Sequence, residues 1–115
     1  MAVPDYQSLM LPVLKLSAEG EIRVPVAADV IADRLGLSDE DREAMLPSGR
    51  QKLLHNRIHW AKFYLNKAGL IDIPRRGFFE ASDTGRTLLS KGPEKIDVEF
   101  LKTIPKFGGV SPLHT

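Results

Sequence analysis

The stretch Ser48–Leu70 reads SGRQKLLHNRIHWAKFYLNKAGL, and its two faces decide what kind of domain this chain can be. Stepped at 100° per residue, Leu54, Ile58, Ala61, Tyr64, Leu65 and Ala68 gather on one side, with Leu53 and Trp60 at the margin. The opposite side collects Lys52, His55, Asn56, His59, Lys62 and Asn66 and carries no acid. A merely solvated face mixes signs, with glutamate and lysine interspersed. A face of cations, amides and imidazoles suits a phosphate-rich partner, because Lys and Arg hold phosphates while Asn and His can read base edges. Ser48 predicts the N-cap, with Gln51 completing a capping box, and Gly69 predicts a left-handed stop with Leu70 folded back on Leu65. Arg57 falls within the apolar stripe and is expected to be structural, its head group paired with carboxylates or carbonyls. Phe63 falls on the polar side, which leaves open whether it packs under a neighbouring element or faces a partner.

Charge is concentrated around the same stretch. The formal net charge of +1 over 115 residues hides a strong asymmetry. Residues 1–49 hold four basic and nine acidic side chains, residues 50–76 seven and one, and residues 77–115 five of each. A basic block on an ordered element points to a polyanion. Much of the acidity before it has a structural use: Ser38 with Asp39, Glu40 and Asp41 is the start of a short helix, where carboxylates complement the dipole. Pro47 is expected to close that helix.

Outward from the long helix, the remaining segments are short. Tyr6, Leu9, Met10, Val13 and Leu14 recur at helical spacing, with a kink or shifted start expected at Pro12. Glu21–Val24 reads as a short strand. Pro25 suits the first turn of a second helix, buried through Ala27, Ile31 and Leu35 and capped by Gly36. After the long helix, LIDIPRRGFFEAS (70–82) reads as a β-hairpin with Arg75 and Arg76 at its tip and Gly77 supplying the turn conformation. Ser82 or Asp83 then caps a helix ended by Gly92-Pro93, Ile96–Leu101 offers one more helical turn or two, and the tail GGVSPLHT is expected to be loose.

The order helix, short strand, helix, helix, long helix, hairpin, helix predicts a mainly α domain with a small β-hairpin, a winged helix-turn-helix. Its recognition helix would span about 49–68 and its wing 71–82. The winged-helix DNA-binding domain is placed at 1–102, with 103–115 as a C-terminal tail or linker. Arg50, Lys52 and Lys62 are the expected phosphate anchors. His55, Asn56 and His59 are the candidate base readers. Arg75 and Arg76 are the wing contacts, since arginine at a loop tip can enter a narrow minor groove.

Catalytic readings fare poorly. The chain has no cysteine, hence no thiolate chemistry and no disulfide framework. No Asp or Glu is followed two residues later by Lys, so the metal-dependent nuclease tripeptide is missing. His55 and His59 share a helix face, but Asn, Arg and Ile stand between them where a zinc-protease motif needs glutamate, and no third ligand is near in sequence. No enzymatic activity, metal or cofactor is expected. No run of eighteen apolar residues exists, and MAVPDYQ lacks the make-up of a signal peptide, which fits a cytoplasmic protein without a membrane partner.

Several separate motifs carry a family likeness. PDYQSLMLPVLKL (4–16), LPSGR (46–50), NRIHWAKFYLNKAGLI (56–71), PRRGFF (74–79) and DTGRTLL (83–89) resemble, in order and spacing, the N-terminal domain of the Mrr family of restriction endonucleases. The likeness runs from about Pro4 to Leu101. It implies a winged-helix DNA-binding fold that longer relatives join to a C-terminal nuclease domain, and enzymes that act on modified (methylated) DNA. The family's catalytic residues match no position here, and modified-base readout is a weaker implication than DNA binding. The expected partner is double-stranded DNA, with methylated DNA as the implied special case. The oligomeric state, a homodimer included, is left open. The rival reading is a winged-helix protein–protein interaction domain whose basic face docks an acidic partner or a second copy.

Overall fold

The computed structural model describes residues 3–107, so the GGVSPLHT tail lies outside the described residues. Six helices and one antiparallel hairpin follow in chain order: α1 Tyr6–Ser17, α2 Val24–Leu35, α3 Asp39–Glu43, α4 Leu53–Lys67, β1 Ile71–Asp72, β2 Glu80–Ala81, α5 Asp83–Ser90 and α6 Val98–Leu101. The expected class, mainly helical with a small two-stranded sheet, is what the chain adopts.

Local chemistry explains most boundaries. Asp5 starts α1 by accepting from the Ser8 amide at 2.7 Å, and that bond holds the Asp5 carboxyl below its ordinary range. Pro12 does not end α1, which runs on to Ser17. The carbonyl deprived of its bond by the proline belongs to exposed Ser8, where water can take its place. Ser38, Ser82 and Asp97 cap α3, α5 and α6 through their side-chain oxygens. Gly36 adopts φ 66° after α2, and the Leu37 amide returns to the Ala32 carbonyl at 3.0 Å. Gly69 (φ 81°) does the same after α4, with the Leu70 amide on the Leu65 carbonyl at 2.9 Å, as the sequence predicts.

The core is built around α4. Ile58, Ala61, Tyr64 and Leu65 are fully buried, chiefly against Leu9, Met10, Val13 and Leu14 of α1. Tyr64 stacks on Tyr6 with centroids 5.4 Å apart and meets the ring of Phe107 at 6.0 Å. Phe107 is itself fully buried, so packing into this core continues past α6.

Several sequence expectations need correction. The long helix does not start near 49; it starts at Leu53, because residues 44–53 fold back on themselves. Leu46 donates to the Gln51 carbonyl and Leu53 to the Ala44 carbonyl, both at 2.9 Å, around a turn with Gly49 at φ 71°. This pairing takes precedence over the local capping signal: the Ser48 hydroxyl accepts from Arg50 instead, and Gln51 accepts from the Asn56 amide. The same fold-back ends α3 at Glu43, four residues before Pro47. In α2 the buried stripe is Ala27, Ala28, Ile31 and Ala32, whereas Leu35 is 40% exposed and Leu37, beyond the glycine, is buried. Trp60, placed at the margin of the stripe by periodicity, is 38% exposed and sits toward the outer side of α4.

Glu21–Val24 does pair as an extended segment, but through one residue. Ile22 and Phe79 exchange both backbone bonds, at 2.9 and 3.0 Å, before α2 begins at Val24. That bridge ties the start of α2 to the hairpin. On the hairpin's other side, Gly85 lets α5 approach closely: a Cβ there would stand 2.2 Å from the Leu70 carbonyl oxygen. Ser82 closes the junction by donating its amide to Leu70 (2.9 Å) and its hydroxyl to Gly69 (2.6 Å). The angle between α4 and the hairpin is thereby fixed from both ends.

Candidate nucleic-acid interface

Helix α4 contains no Asp or Glu. Arg57 leaves its outer surface to serve the fold, donating to the carbonyls of Val3 (2.6 Å) and Pro4 (3.1 Å) and so pinning the N-terminal segment, as its place in the apolar stripe predicts. Asn66 is also committed, its amide on the Ile71 carbonyl at 2.8 Å, where it joins α4 to β1.

The remaining polar groups of the predicted face are Arg50, Lys52, His55, Asn56, His59 and Lys62. Arg50 and Lys52 precede the helix rather than sit within it. Arg50 is exposed on the turn. Lys52 is the N-cap residue and pairs with Glu43 across the fold-back at 3.4 Å. His55, His59 and Lys62 follow along the surface. Partial burial holds both imidazoles below their ordinary 6.5, and neighbouring charge acts the same way: Lys52 on His55, and Lys62 with His55 on His59. Asp29 of α2 opposes this at His55. Both rings are therefore neutral at pH 7 and present one N–H donor and one acceptor each. Lys62 lies over the ring of Phe79 with its ammonium 5.6 Å from the centroid, and burial lowers its pKa as well. Asn56 is half-buried and held by Gln51 at 3.1 Å.

Between α4 and the hairpin lies an open groove of about 390 Å³, lined by His59, Trp60, Lys62, Phe63, Asn66 and Ile73. Phe63, whose role the sequence left open, is 41% exposed, with its ring edge-on to Trp60 and Tyr64 and the Lys67 ammonium 5.3 Å from its centroid. Ile73 faces solvent at 45% exposure. The outer side of α4 is thus not purely cationic: its polar row borders an apolar shelf.

At the hairpin, Arg75 and Arg76 are both exposed. Arg75 is already engaged: its Nε meets the Glu21 carboxylate at 3.0 Å, and its guanidinium lies 4.0 Å from the Phe78 ring centroid. Arg23 lies over the same ring at 5.8 Å. Glu21, Arg23 and Phe78 are absent from the sequence-derived site. The strand reading of Glu21–Val24 was the signal that could have brought them in, since a strand needs a partner and the hairpin edge offers one. Among the described residues no three His, Cys, Asp or Glu side chains are placed to share a metal ion. No helix there is long and apolar enough to cross a membrane.

Fold and surface together describe a small helix-and-hairpin domain with a basic, acid-free long helix. The chain belongs to the Mrr N-terminal domain family, whose model matches residues 6–91. It is similar to the type IV methyl-directed restriction enzyme EcoKMrr of Escherichia coli strain K12, with 34% identity over 97 residues that cover 82% of this chain and 31% of the relative. The chain thus spans about a third of the length of that curated relative. No solved structure gives a significant match.

Proposed function

We propose that this domain is a winged helix-turn-helix that binds double-stranded DNA for a restriction system, with α4 in the major groove and the β1–β2 hairpin as the wing. One observation carries the reading: α4, which contains no Asp or Glu, bears His55, Asn56, His59 and Lys62 just after Arg50 and Lys52, and borders a groove shared with a hairpin tipped with arginine. Helix-turn-helix proteins place the N-terminal part of the second helix against base edges. Here that part offers His55, Asn56 and His59, with Arg50, Lys52 and Lys62 beside them for phosphates. The domain binds without catalysing, needs no cofactor, and works in the cytoplasm.

Preference for methylated DNA is the finer part of the proposal. A methyl group on a base protrudes into the major groove, where apolar side chains contact it. Trp60, Phe63 and Ile73 supply such a surface beside the polar row. The same shelf favours a second reading, a winged-helix protein–protein interaction domain, because exposed aromatic side chains also anchor protein partners.

Fluorescence anisotropy with labelled duplex, plain and methylated, at two salt concentrations separates these readings. DNA binding requires an affinity that falls with salt, with a log–log slope of about −4 if four or five phosphates are neutralised. A tighter complex with methylated duplex places readout within this domain. Absence of binding at low salt moves the assignment to the protein-interaction reading.

A further inference from the structure

We propose that Arg23, Arg75 and Arg76 form a single phosphate site, organised on the Phe78 ring, in which Glu21 is the internal competitor that a DNA phosphate displaces. The inference rests on the DNA-binding reading and extends it to residues more than fifty positions away from the hairpin tip. The Ile22–Phe79 bridge fixes Arg23 beside the hairpin through two backbone bonds. Phe78 then lies under two guanidinium groups at once, at 5.8 Å from Arg23 and 4.0 Å from Arg75. Arg76, the neighbour of Arg75 in the turn, is exposed and makes no ion pair among the described residues. Two guanidinium groups, those of Arg23 and Arg75, therefore meet at Phe78, with Arg76 next in the chain, and the ion pair at this cluster is that of Glu21 with Arg75 Nε.

Such an arrangement favours an anion with several acceptor oxygens. Guanidinium groups resting on a ring have less freedom left to lose when they bind, and their N–H forks match phosphate oxygens in pairs. The Glu21–Arg75 pair is solvent-exposed, with side chains 38% and 65% accessible, so it is weak enough to be exchanged for a phosphate. In the free domain Glu21 holds Arg75 folded; in the complex Arg75 turns to the backbone and Arg23 joins it.

The test uses the full chain, labelled duplex DNA and anisotropy titrations over a range of salt. Arg23→Ala is expected to lower the log–log salt slope by about 0.9 and to weaken binding about eightfold near 0.1 M salt, the effect of one lost counterion release. Arg23→Lys is expected to retain the slope and lose only part of the affinity. Glu21→Gln is expected to tighten binding by about 1.4- to 5-fold, the range an exposed ion pair is worth. Both positions are exposed, so unchanged thermal unfolding is the control for intact folding. Wild-type slope and affinity in Arg23→Ala, with a reduced slope in Arg50→Ala, would overturn this site and leave the DNA reading standing. No salt-dependent binding by the wild-type chain would overturn both.

Discussion

Replacing Gly85 by alanine tests how the hairpin is set against α4. In an ordinary helix interior this change is favourable by about 1 kcal/mol, because alanine restricts the unfolded chain and favours helix. Gly85 has an ordinary helical backbone, so nothing in its conformation opposes alanine. The space around it does. The added Cβ would stand 2.2 Å from the Leu70 carbonyl oxygen, 3.1 Å from the Leu70 carbonyl carbon and 3.2 Å from Leu14 Cδ1. Two of those atoms are backbone, at the point where α4 passes into β1, so the clash cannot be relieved by a side-chain rotation. Either α5 withdraws or the 69–71 segment moves, and both lengthen the bonds from Ser82 to Leu70 and Gly69. Overpacking of a rigid core costs about 1–3 kcal/mol and sometimes more. Against rigid backbone the upper end applies, which leaves a net loss of about 2 kcal/mol after the helix-propensity gain. For a domain of this size that lowers the unfolding midpoint by roughly 8 °C. Thermal and urea unfolding followed by circular dichroism measure it directly. On the proposed DNA-binding reading, binding by the folded fraction should weaken as well, because the hairpin is displaced relative to α4. A variant as stable as wild type, or more so, would refute the close approach of α5 to the α4–β1 junction.

Other perturbations follow from the interface. Lys52→Ala should lower the salt slope of DNA binding by less than a full counterion, since Lys52 must first leave Glu43, whereas Arg50→Ala should remove about 0.9; a larger effect at Lys52 would contradict the Glu43 pair. Asn56→Ala should alter sequence preference more than affinity, which selection from a randomised duplex pool would reveal, and an unchanged consensus would remove Asn56 from the base readers. Arg57→Met should cost about 1–3 kcal/mol of stability by leaving the Val3 and Pro4 carbonyls unpaired, with the salt slope of DNA binding unchanged. His55 and His59 titrate below their ordinary 6.5 in the folded domain, so the unfolded chain binds their protons first. Their contribution to stability is complete above 6.5 and is lost as the pH falls from there toward the folded values. A DNA phosphate reverses the sign by favouring the charged rings, so binding should strengthen between about pH 7.5 and 5.5, and the His55→Gln/His59→Gln variant should flatten that dependence.

What the sequence determined by itself were features that depend on local chemistry or on a long period. The apolar stripe of α4, the left-handed glycines 36 and 69, the caps at Ser38 and Ser82 and the hairpin around Gly77 all follow from residues within a few positions of one another, and each is present. Arg57 was legible for the same reason: a charged residue inside a helical stripe must find buried partners. Tertiary structure decided the matters in which local signals competed with distant ones. Ser48 and Gln51 satisfy every local rule for a capping box, yet residues 44–46 pair with 51–53 and the helix starts at Leu53. Periodicity placed Trp60 at the edge of the core, but only the positions of α1 and the hairpin determine which side of that edge is covered. Arg23 and Glu21 carry no functional signal in their own neighbourhood. They reach Arg75 and Phe78 because a single backbone bridge, Ile22 to Phe79, closes over more than fifty residues, and no pattern along the chain encodes which strand edge that bridge will choose.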